Sequence, residues 1–182
     1  MFAIKKVIVS IIFVLITTIF MTGCTSPESP LKSPQEPPKL IITIGDKEIE
    51  YVVAKNKWNN SIYNREGAFQ TILKKDSKIE LPYVELGKIA DISFKTFPPT
   101  TLTISDILIG ADGIPIYSDK EVTKIPVKLK DGKCSFEVKK HIASALSSYY
   151  VEGKTVLRGF SMIATWGENE CEYAFIIRTD SF

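Results

Sequence analysis

The sequence contains little of the chemistry that common enzyme classes require. It has one histidine, His141, so it offers no pair of histidines for a metal, and any Ser-His or Cys-His couple would have to use that residue. It also has no glycine-rich phosphate loop, no Cys-x-x-Cys pair and no calcium-loop spacing of acidic residues. We therefore expect no metal, no cofactor and no enzymatic activity. His141 is expected to be a solvated surface residue, with a general base as the minor alternative.

Net charge is small as well. The 23 basic and 21 acidic residues give a formal charge of +2, and removal of residues 1–23 would take away Lys5 and Lys6 and bring it to zero. A neutral chain with scattered charges has no basic patch of the kind that nucleic acids need. No nucleic-acid partner is expected.

The one long apolar run is residues 7–20, which follows Lys5 and Lys6 and carries no charge. It is shorter than the ~20 residues that cross a bilayer comfortably, so it predicts a secretory signal peptide, with an uncleaved anchor as the alternative. The run ends in Met21-Thr22-Gly23-Cys24, which resembles the lipobox of bacterial lipoproteins, with Met21 where Leu is usual. The resemblance implies cleavage after Gly23 and a diacylglyceryl group on the Cys24 thiol.

Such a group would fix the location of the mature chain. Two acyl chains make a durable membrane anchor, at ~0.8 kcal/mol per buried methylene. Lys outnumbers Arg by 20 to 3, which indicates an AT-rich genome and a low-GC Gram-positive bacterium. We expect a lipid-anchored protein on the extracytoplasmic face of the cell membrane. The membrane is then an expected partner, bound through the N-terminal lipid.

Three segments follow from this interpretation. Residues 1–23 are the signal peptide, and residues 24–38 are the lipidated cysteine and a linker rich in proline and serine, too polar to bury anything. At ~3.1 Å per residue an extended linker could hold the folded part roughly 40 Å from the membrane. Residues 39–182 are long enough for one domain.

Within that domain, alternating apolar residues and turn pairs predict short β-strands. The predicted strands are residues 40–44, 47–53, 88–95, 101–109, 114–117, 127–129, 134–138, 156–166 and 171–179. Helical spacing predicts one short helix over residues 64–75, capped by Asn64, and a second over residues 139–148. Many short strands with two short helices indicate an all-β fold, an antiparallel immunoglobulin-like β-sandwich.

From Leu40 onward the chain resembles uncharacterised cell-surface lipoproteins of Gram-positive bacteria that carry an immunoglobulin-like domain. The matching features are residues 44–49, Trp58, the Phe-Pro-Pro corner at residues 97–99 and the closing patterns of residues 164–167 and 173–177. The resemblance implies a β-sandwich on the cell surface. It implies no catalytic residues, because that family has no assigned activity.

Two cysteines remain after Cys24. Cys134 and Cys171 each stand at the start of a predicted strand and face its core side, in a compartment where disulfides persist. A bond between them would contribute ~3 to 4 kcal/mol, but it needs Cα atoms within about 7 Å. A disulfide and two buried free thiols both stay open.

The richest recognition chemistry lies around Trp58, with Asn59, Asn60 and Tyr63 beside it in a predicted loop. Tyr, Trp and Asn supply contact surface at a low cost in entropy, so this segment is the candidate contact for an envelope protein or glycan ligand. The alternative is that Trp58 caps one end of the core. Near the other terminus, Glu168, Glu170 and Glu172 alternate along a predicted hairpin, which indicates a solvent-facing side.

Two function classes follow. The first is a non-enzymatic, lipid-anchored binding or interaction module of the cell envelope. The second is an immunoglobulin-type peptidase inhibitor that inserts end loops, such as residues 97–101, into a protease cleft.

Overall fold

A computed structural model of the chain describes residues 34–63, 67–75, 81–146 and 152–181. The signal segment, Cys24 and Asn64, the predicted helix cap, lie outside the described residues, as does the end of the second predicted helix. None of the helices in the described ranges is both long enough and apolar enough to cross a membrane.

The described chain is mostly antiparallel β-structure with one α-helix. Four strands form the first sheet in the order β2-β1-β5-β8, and six form the second in the order β4-β3-β10-β9-β6-β7. The strands and helix are β1 (Leu40–Ile44), β2 (Lys47–Glu48), β3 (Val52–Trp58), β4 (Ser61–Ile62), α1 (Ala68–Lys75), β5 (Ile89–Phe94), β6 (Thr101–Ile109), β7 (Thr123–Ile125), β8 (Lys133–Glu137), β9 (Thr155–Trp166) and β10 (Asn169–Asp180).

The four-stranded sheet follows the alternation of its sequence. Ile42 lies opposite Ile92, which in turn lies opposite Cys134, and all three side chains are buried. Their neighbours along each strand point outward, because successive side chains of a strand lie on opposite faces. The sheet therefore presents one apolar face.

The six-stranded sheet is built on the long hairpin of β9 and β10, in which Trp166 pairs with Asn169 and Thr155 with Asp180. Its inner face meets the apolar face of the first sheet. The Phe136 ring lies 5.6 Å from Phe160, between centroids, and the Phe94 ring lies 5.7 Å from Tyr173. The two sheets thus share one core.

Helix α1 covers part of the outer face of the six-stranded sheet. A Cβ atom on Gly159 of β9 would lie 2.6 Å from Cζ of Phe69, so only glycine lets this ring sit on the strand. Ala68 and Phe69 pack with Ala174 and Ile176 of β10 in a second, smaller apolar cluster.

Most predicted elements are confirmed, and four differ. The predicted strand over residues 127–129 has no regular structure, and the strand that precedes it is β7, Thr123–Ile125. The predicted strand over residues 47–53 is divided: β2 stays beside β1, Ile49 is buried, and Val52 begins β3 in the other sheet. Residues 114–117 form only a bridge from Pro115 to Ile109. The second predicted helix is a single 3-10 turn, Ile142–Ala145, because His141 and Leu146 at its two ends have extended backbones.

Candidate functional site

The predicted contact segment lies where β3 turns into β4. Trp58 is 1 % exposed, and its ring packs edge-on against Trp166 at a centroid distance of 5.4 Å. Asn59 and Asn60 form the turn with positive φ angles of 50° and 61°, the conformation that a two-residue hairpin loop requires. The Trp58 side chain therefore caps the core. Asn59, Asn60 and Tyr63 are exposed, and their role as a ligand contact stays a prediction.

The same turn holds the last residues of the linker. Trp58 Nε1 donates to the Gln35 carbonyl at 2.9 Å, and Asn59 Nδ2 donates to the same oxygen at 3.0 Å. Farther along, the Tyr173 hydroxyl donates to the Pro38 carbonyl at 2.6 Å. The contacts of the domain thus begin at Gln35, before the predicted boundary at residue 39. We call this part of the molecule, defined by Gln35, Trp58, Asn59, Phe97 and Trp166, the linker end.

The two cysteines are free, buried thiols and do not form the disulfide that the sequence left open. Cys134 lies in the four-stranded sheet, opposite Ile92. Cys171 lies in the six-stranded sheet, opposite Ala164, and its Sγ is 3.6 Å from the Ala54 carbonyl. Burial, with the Asp91 charge adding to it, raises the pKa of the Cys134 thiol to about 11, so this thiol is unreactive at neutral pH.

A buried ion pair stands on the inner face of the six-stranded sheet, away from the linker end. Arg158 and Asp106 are 2 % and 3 % exposed, and the guanidinium meets both carboxylate oxygens through Nε and Nη2. Arg158 Nη1 also donates to the Lys139 carbonyl at 2.6 Å. Such a paired geometry is what allows two charges to stay in a core.

Sequence reasoning did not find this pair, although the strand alternation contains the signal. The alternation that turns Ile104 and Leu108 inward turns Asp106 inward too, and Arg158 has the same parity as Phe160. An inward carboxylate on one strand needs a cation on its neighbour. The cross-strand register that brings the two together cannot be read from the sequence.

His141 is buried, so the expectation of a solvated histidine is wrong. Its Nδ1 accepts from the Ala143 amide at 3.2 Å, and its Nε2 lies 3.2 Å from the Asp106 carbonyl. The ring thus links the 3-10 turn to β6. One of these contacts is local and the other reaches a residue 35 positions away, and together they replace the water that the polar ring would otherwise bind.

Beside the ion pair, a cavity of about 260 Å³ opens between the edge strands β7 and β8. Its lining includes the apolar side chains of Ile125, Pro126 and Phe136, with Asp106 among the polar residues. Lys124, Lys139 and Lys140 also line it, against the single further carboxylate of Glu137. We call this cavity the lysine cleft. The Asp106 charge is paired to Arg158, and Lys139 Nζ lies 3.9 Å from Glu137 Oε2, so the lining keeps a net positive charge.

A second polar row crosses the outer face of the six-stranded sheet. The Ser161 hydroxyl donates to Glu172 Oε1 at 2.5 Å, and Lys124 Nζ donates to the Ser105 hydroxyl at 2.8 Å. Ser105 and Ser161 are cross-strand neighbours. Glu172 is buried, so the expectation that the glutamates of this hairpin all face solvent is wrong for this residue.

Among the residues that the structure describes, no three His, Cys, Asp or Glu side chains come together as a set that could hold a metal ion. Comparison with protein-family models, with curated proteins and with solved structures finds no match to this chain.

Proposed function

We propose that this chain is a lipid-anchored, extracytoplasmic binding module of the bacterial cell envelope that presents the lysine cleft to an anionic partner. The observation that carries the anchor is the order of its segments: two lysines, an uncharged apolar run, the lipobox-like residues 21–24 and a proline-rich linker. The contacts on Gln35 and Pro38 are consistent with that order, because they join the linker directly to the folded part.

The proposed fold type is an immunoglobulin-like β-sandwich. Two antiparallel sheets with one shared core support it, and so does the resemblance of residues 44–49 and 173–177 to cell-surface lipoproteins of Gram-positive bacteria. In such folds the loops at the ends and the edges of the sheets supply binding surface. We therefore look for the ligand at an edge.

Binding is favoured over catalysis by how the described titratable side chains are used. The Asp106 carboxylate is paired with Arg158, His141 uses both ring nitrogens on nearby groups, and Glu172 accepts from Ser161. These contacts order the backbone and the sheet faces. The lysines around the cleft make contacts at the surface, with Lys124 Nζ donating to Ser105 and Lys139 Nζ 3.9 Å from Glu137 Oε2, and all three are exposed, so an anionic ligand could compete for them.

The position of the cleft also suits a tethered protein. Thr123 of β7 pairs with Asp106, one residue past the middle of β6, and Glu137 of β8 pairs with Ile89, at the end of β5 that is distant from the linker end. A domain held by its linker end would carry the cleft on its flank, away from the attachment point. Residues 97–101, the loop of the inhibitor hypothesis, lie at the linker end, so we prefer a binding module.

The anchor is tested by replacement of its thiol. We expect Cys24→Ala to abolish the diacylglyceryl modification and to move the protein out of the detergent-soluble membrane fraction, with Cys171→Ala as a matched cysteine control that stays there. Retention of Cys24→Ala in the membrane at the wild-type level would contradict the lipid anchor.

The cleft is tested with a defined anionic probe. Titration of the mature chain with a short polyglutamate peptide should shift the amide resonances of residues 123–125 and 135–140 in nuclear magnetic resonance spectra. The variant Lys124→Glu should weaken the effect, whereas Lys74→Glu, an exposed change of the same charge on α1, should not. Equal weakening by both variants would mean that the attraction is unspecific.

A further inference from the structure

One wall of the lysine cleft is a strand with an open side. β8 is the last strand of the four-stranded sheet, so it has a neighbouring strand, β5, on one side only. Just past its end, the Val138 amide donates to the Lys88 carbonyl at 2.8 Å. In an antiparallel pair such bonds recur at every second residue, so the main-chain groups of Ser135 and Glu137 point away from β5. Both residues line the cleft.

The chain that leads into β8 does not close this open side. Lys130 and Lys133 exchange both main-chain hydrogen bonds, at 2.8 and 2.9 Å, across the turn that precedes the strand. Continuation of this hairpin would bring Pro126 opposite Glu137, and proline has no amide proton to donate to a ladder. Residues 126–129 instead lie outside any strand. The cleft is the space that opens between this segment and β8.

Three main-chain groups of β8 therefore face the cleft. Among the contacts between described residues, the amides of Ser135 and Glu137 have no acceptor, and the Ser135 carbonyl has no donor. The Glu137 carbonyl accepts from the Lys139 amide at 3.0 Å, so the open row ends there. Both Ser135 and Glu137 are exposed to solvent. Such a row of main-chain donors and acceptors at a sheet edge is a template for a further strand.

The segment around this open edge is basic. Residues 123–140, which run from β7 through β8 to the turn behind it, contain six lysines and two acidic residues. Two further carboxylates lie beside them: Asp91 accepts from the Ser135 hydroxyl at 2.5 Å, and the charge of Asp106 is matched by that of Arg158. The surroundings of the edge thus keep a net positive charge, although the mature chain as a whole is neutral. A strand that is added here should be acidic.

An added strand would also meet apolar surface. The side chains of Ile125, Pro126 and Phe136 line the cleft beside the open edge. Because successive side chains of a strand lie on opposite faces, a peptide with alternating residues can place one set on this apolar surface and turn the other set toward the lysines. Main-chain bonds to an edge strand with pockets for alternate side chains are a recurring mode of peptide recognition.

We propose that the lysine cleft takes up an extended acidic peptide segment of a partner protein as an added strand, bonded through its main chain to Ser135 and Glu137. This inference rests on the proposed function of the cleft, and it specifies the partner as a peptide and the mode of binding as strand addition. A polyanion without amide groups, such as inorganic polyphosphate, would match the charge of the lysines but could not complete the ladder of β8.

The first test measures hydrogen exchange at the open edge. The probe is a heptapeptide of alternating glutamate and valine, blocked at both termini and added to the mature chain until binding is saturated. The amides of Ser135 and Glu137 should then exchange at least about tenfold more slowly, because each gains an acceptor. The Phe136 amide, which points toward β5, is protected already and should change little. Polyphosphate of matched charge should shift the resonances around the cleft without protecting the two edge amides.

The second test separates the main chain from the side chain at one position. Ser135→Pro removes the amide proton that faces the cleft, at an edge position where proline leaves the ladder to β5 intact. Ser135→Ala keeps that proton, and both variants lose the hydroxyl bond to Asp91. We expect the Kd of the peptide to rise at least about tenfold in Ser135→Pro and less than about twofold in Ser135→Ala. Thermal melting checks the fold of each variant, and if Ser135→Pro does not fold, the exchange measurement on the wild type decides.

The outcomes separate strand addition from the proposed function. If both probes shift the resonances around the cleft but neither protects the amides of Ser135 and Glu137, strand addition is refuted while an anionic partner stands. Equal binding of a peptide with glutamine in place of glutamate would refute the preference for an acidic segment. If neither probe shifts these resonances, strand addition and the proposed function of the cleft both fail.

Discussion

The linker end and the lysine cleft are organised by different chemistry. At the linker end, the aromatic side chains of Trp58 and Tyr173 fill the core and use their polar tips to hold the incoming backbone at Gln35 and Pro38. At the cleft, the buried pair of Asp106 and Arg158 lies beneath a cavity lined by lysines. One region therefore holds the incoming chain in place, and the other keeps charged side chains exposed to solvent above a buried ion pair.

The largest predicted loss of stability comes from breaking the buried ion pair beneath the lysine cleft. The variant Arg158→Met leaves the Asp106 carboxylate buried without its partner, and loss of one member of a buried pair costs about 3–5 kcal/mol. Urea unfolding should therefore show a large fall in the free energy of unfolding. The double variant Asp106→Leu with Arg158→Met should recover part of it, and a single-variant loss below about 1 kcal/mol would contradict the assignment.

The second prediction concerns the stability of the fold at alkaline pH, and it depends on a buried thiol in the core near the linker end. The folded-state pKa of the Cys134 thiol is about 11 against an ordinary value of 9.0, so above pH 9 the unfolded chain gives up this proton and the folded chain keeps it. This contribution to stability is therefore fully present below pH 9 and is lost as the pH rises, by roughly 2 kcal/mol at pH 11. Burial also raises the pKa of Tyr173, and its contribution has the same sign.

Unfolding at pH 8, 9.5 and 11 checks this expectation. The variant Cys134→Ala lacks the titrating group, so its stability should fall less steeply between pH 9 and pH 11 than that of the wild type, whatever its stability at pH 8. Identical slopes for the two proteins would assign the alkaline loss to other groups.

A smaller loss of stability is expected at the linker end. Trp58→Phe keeps a ring in the core but removes the Nε1 donor to Gln35, which should cost about 1 kcal/mol. Hydrogen exchange should then become faster at the amides of Glu36, Lys39 and Leu40 while the amides around Asp106 stay protected. Faster exchange in both regions would mean that Trp58 stabilises the whole fold and does not act locally on the linker.

The smallest expected effect compares two ion pairs in one molecule. Lys57 Nζ lies 2.7 Å from Glu168 Oε2 at the surface of the linker end, and both side chains are substantially exposed. Lys57→Ala should change the free energy of unfolding by less than about 0.5 kcal/mol, because solvent screens exposed pairs. A loss comparable to that of Arg158→Met would remove the contrast between the two regions.

Sequence reasoning predicted the elements whose pattern is local. The alternation of Ile92 and Phe94 predicted β5, and the spacing of Phe69 and Ile72 predicted α1, because in both cases the buried face can be read from consecutive residues. The crossing from β2 to β3 was missed, since an apolar residue such as Ile49 fits a strand of either sheet.

The candidate site was harder to predict because its contacts join distant residues. His141 looked solvated beside Lys139 and Lys140, and it is buried only because β6 supplies the Asp106 carbonyl from 35 residues away. Trp58 could equally have been a contact residue or a cap, and its burial depends on Trp166 and on the linker. Whether these side chains are buried depends on strand pairing, and strand pairing cannot be predicted from neighbouring residues in the sequence.

The anchor at Cys24 is the central claim, and intact mass measurement of the protein from membranes of the producing bacterium tests it most directly. We expect a chain that begins at Cys24, carries a diacylglyceryl group on that thiol and has unmodified thiols at Cys134 and Cys171. A chain that still begins at Met1, or one with an unmodified Cys24, would contradict it.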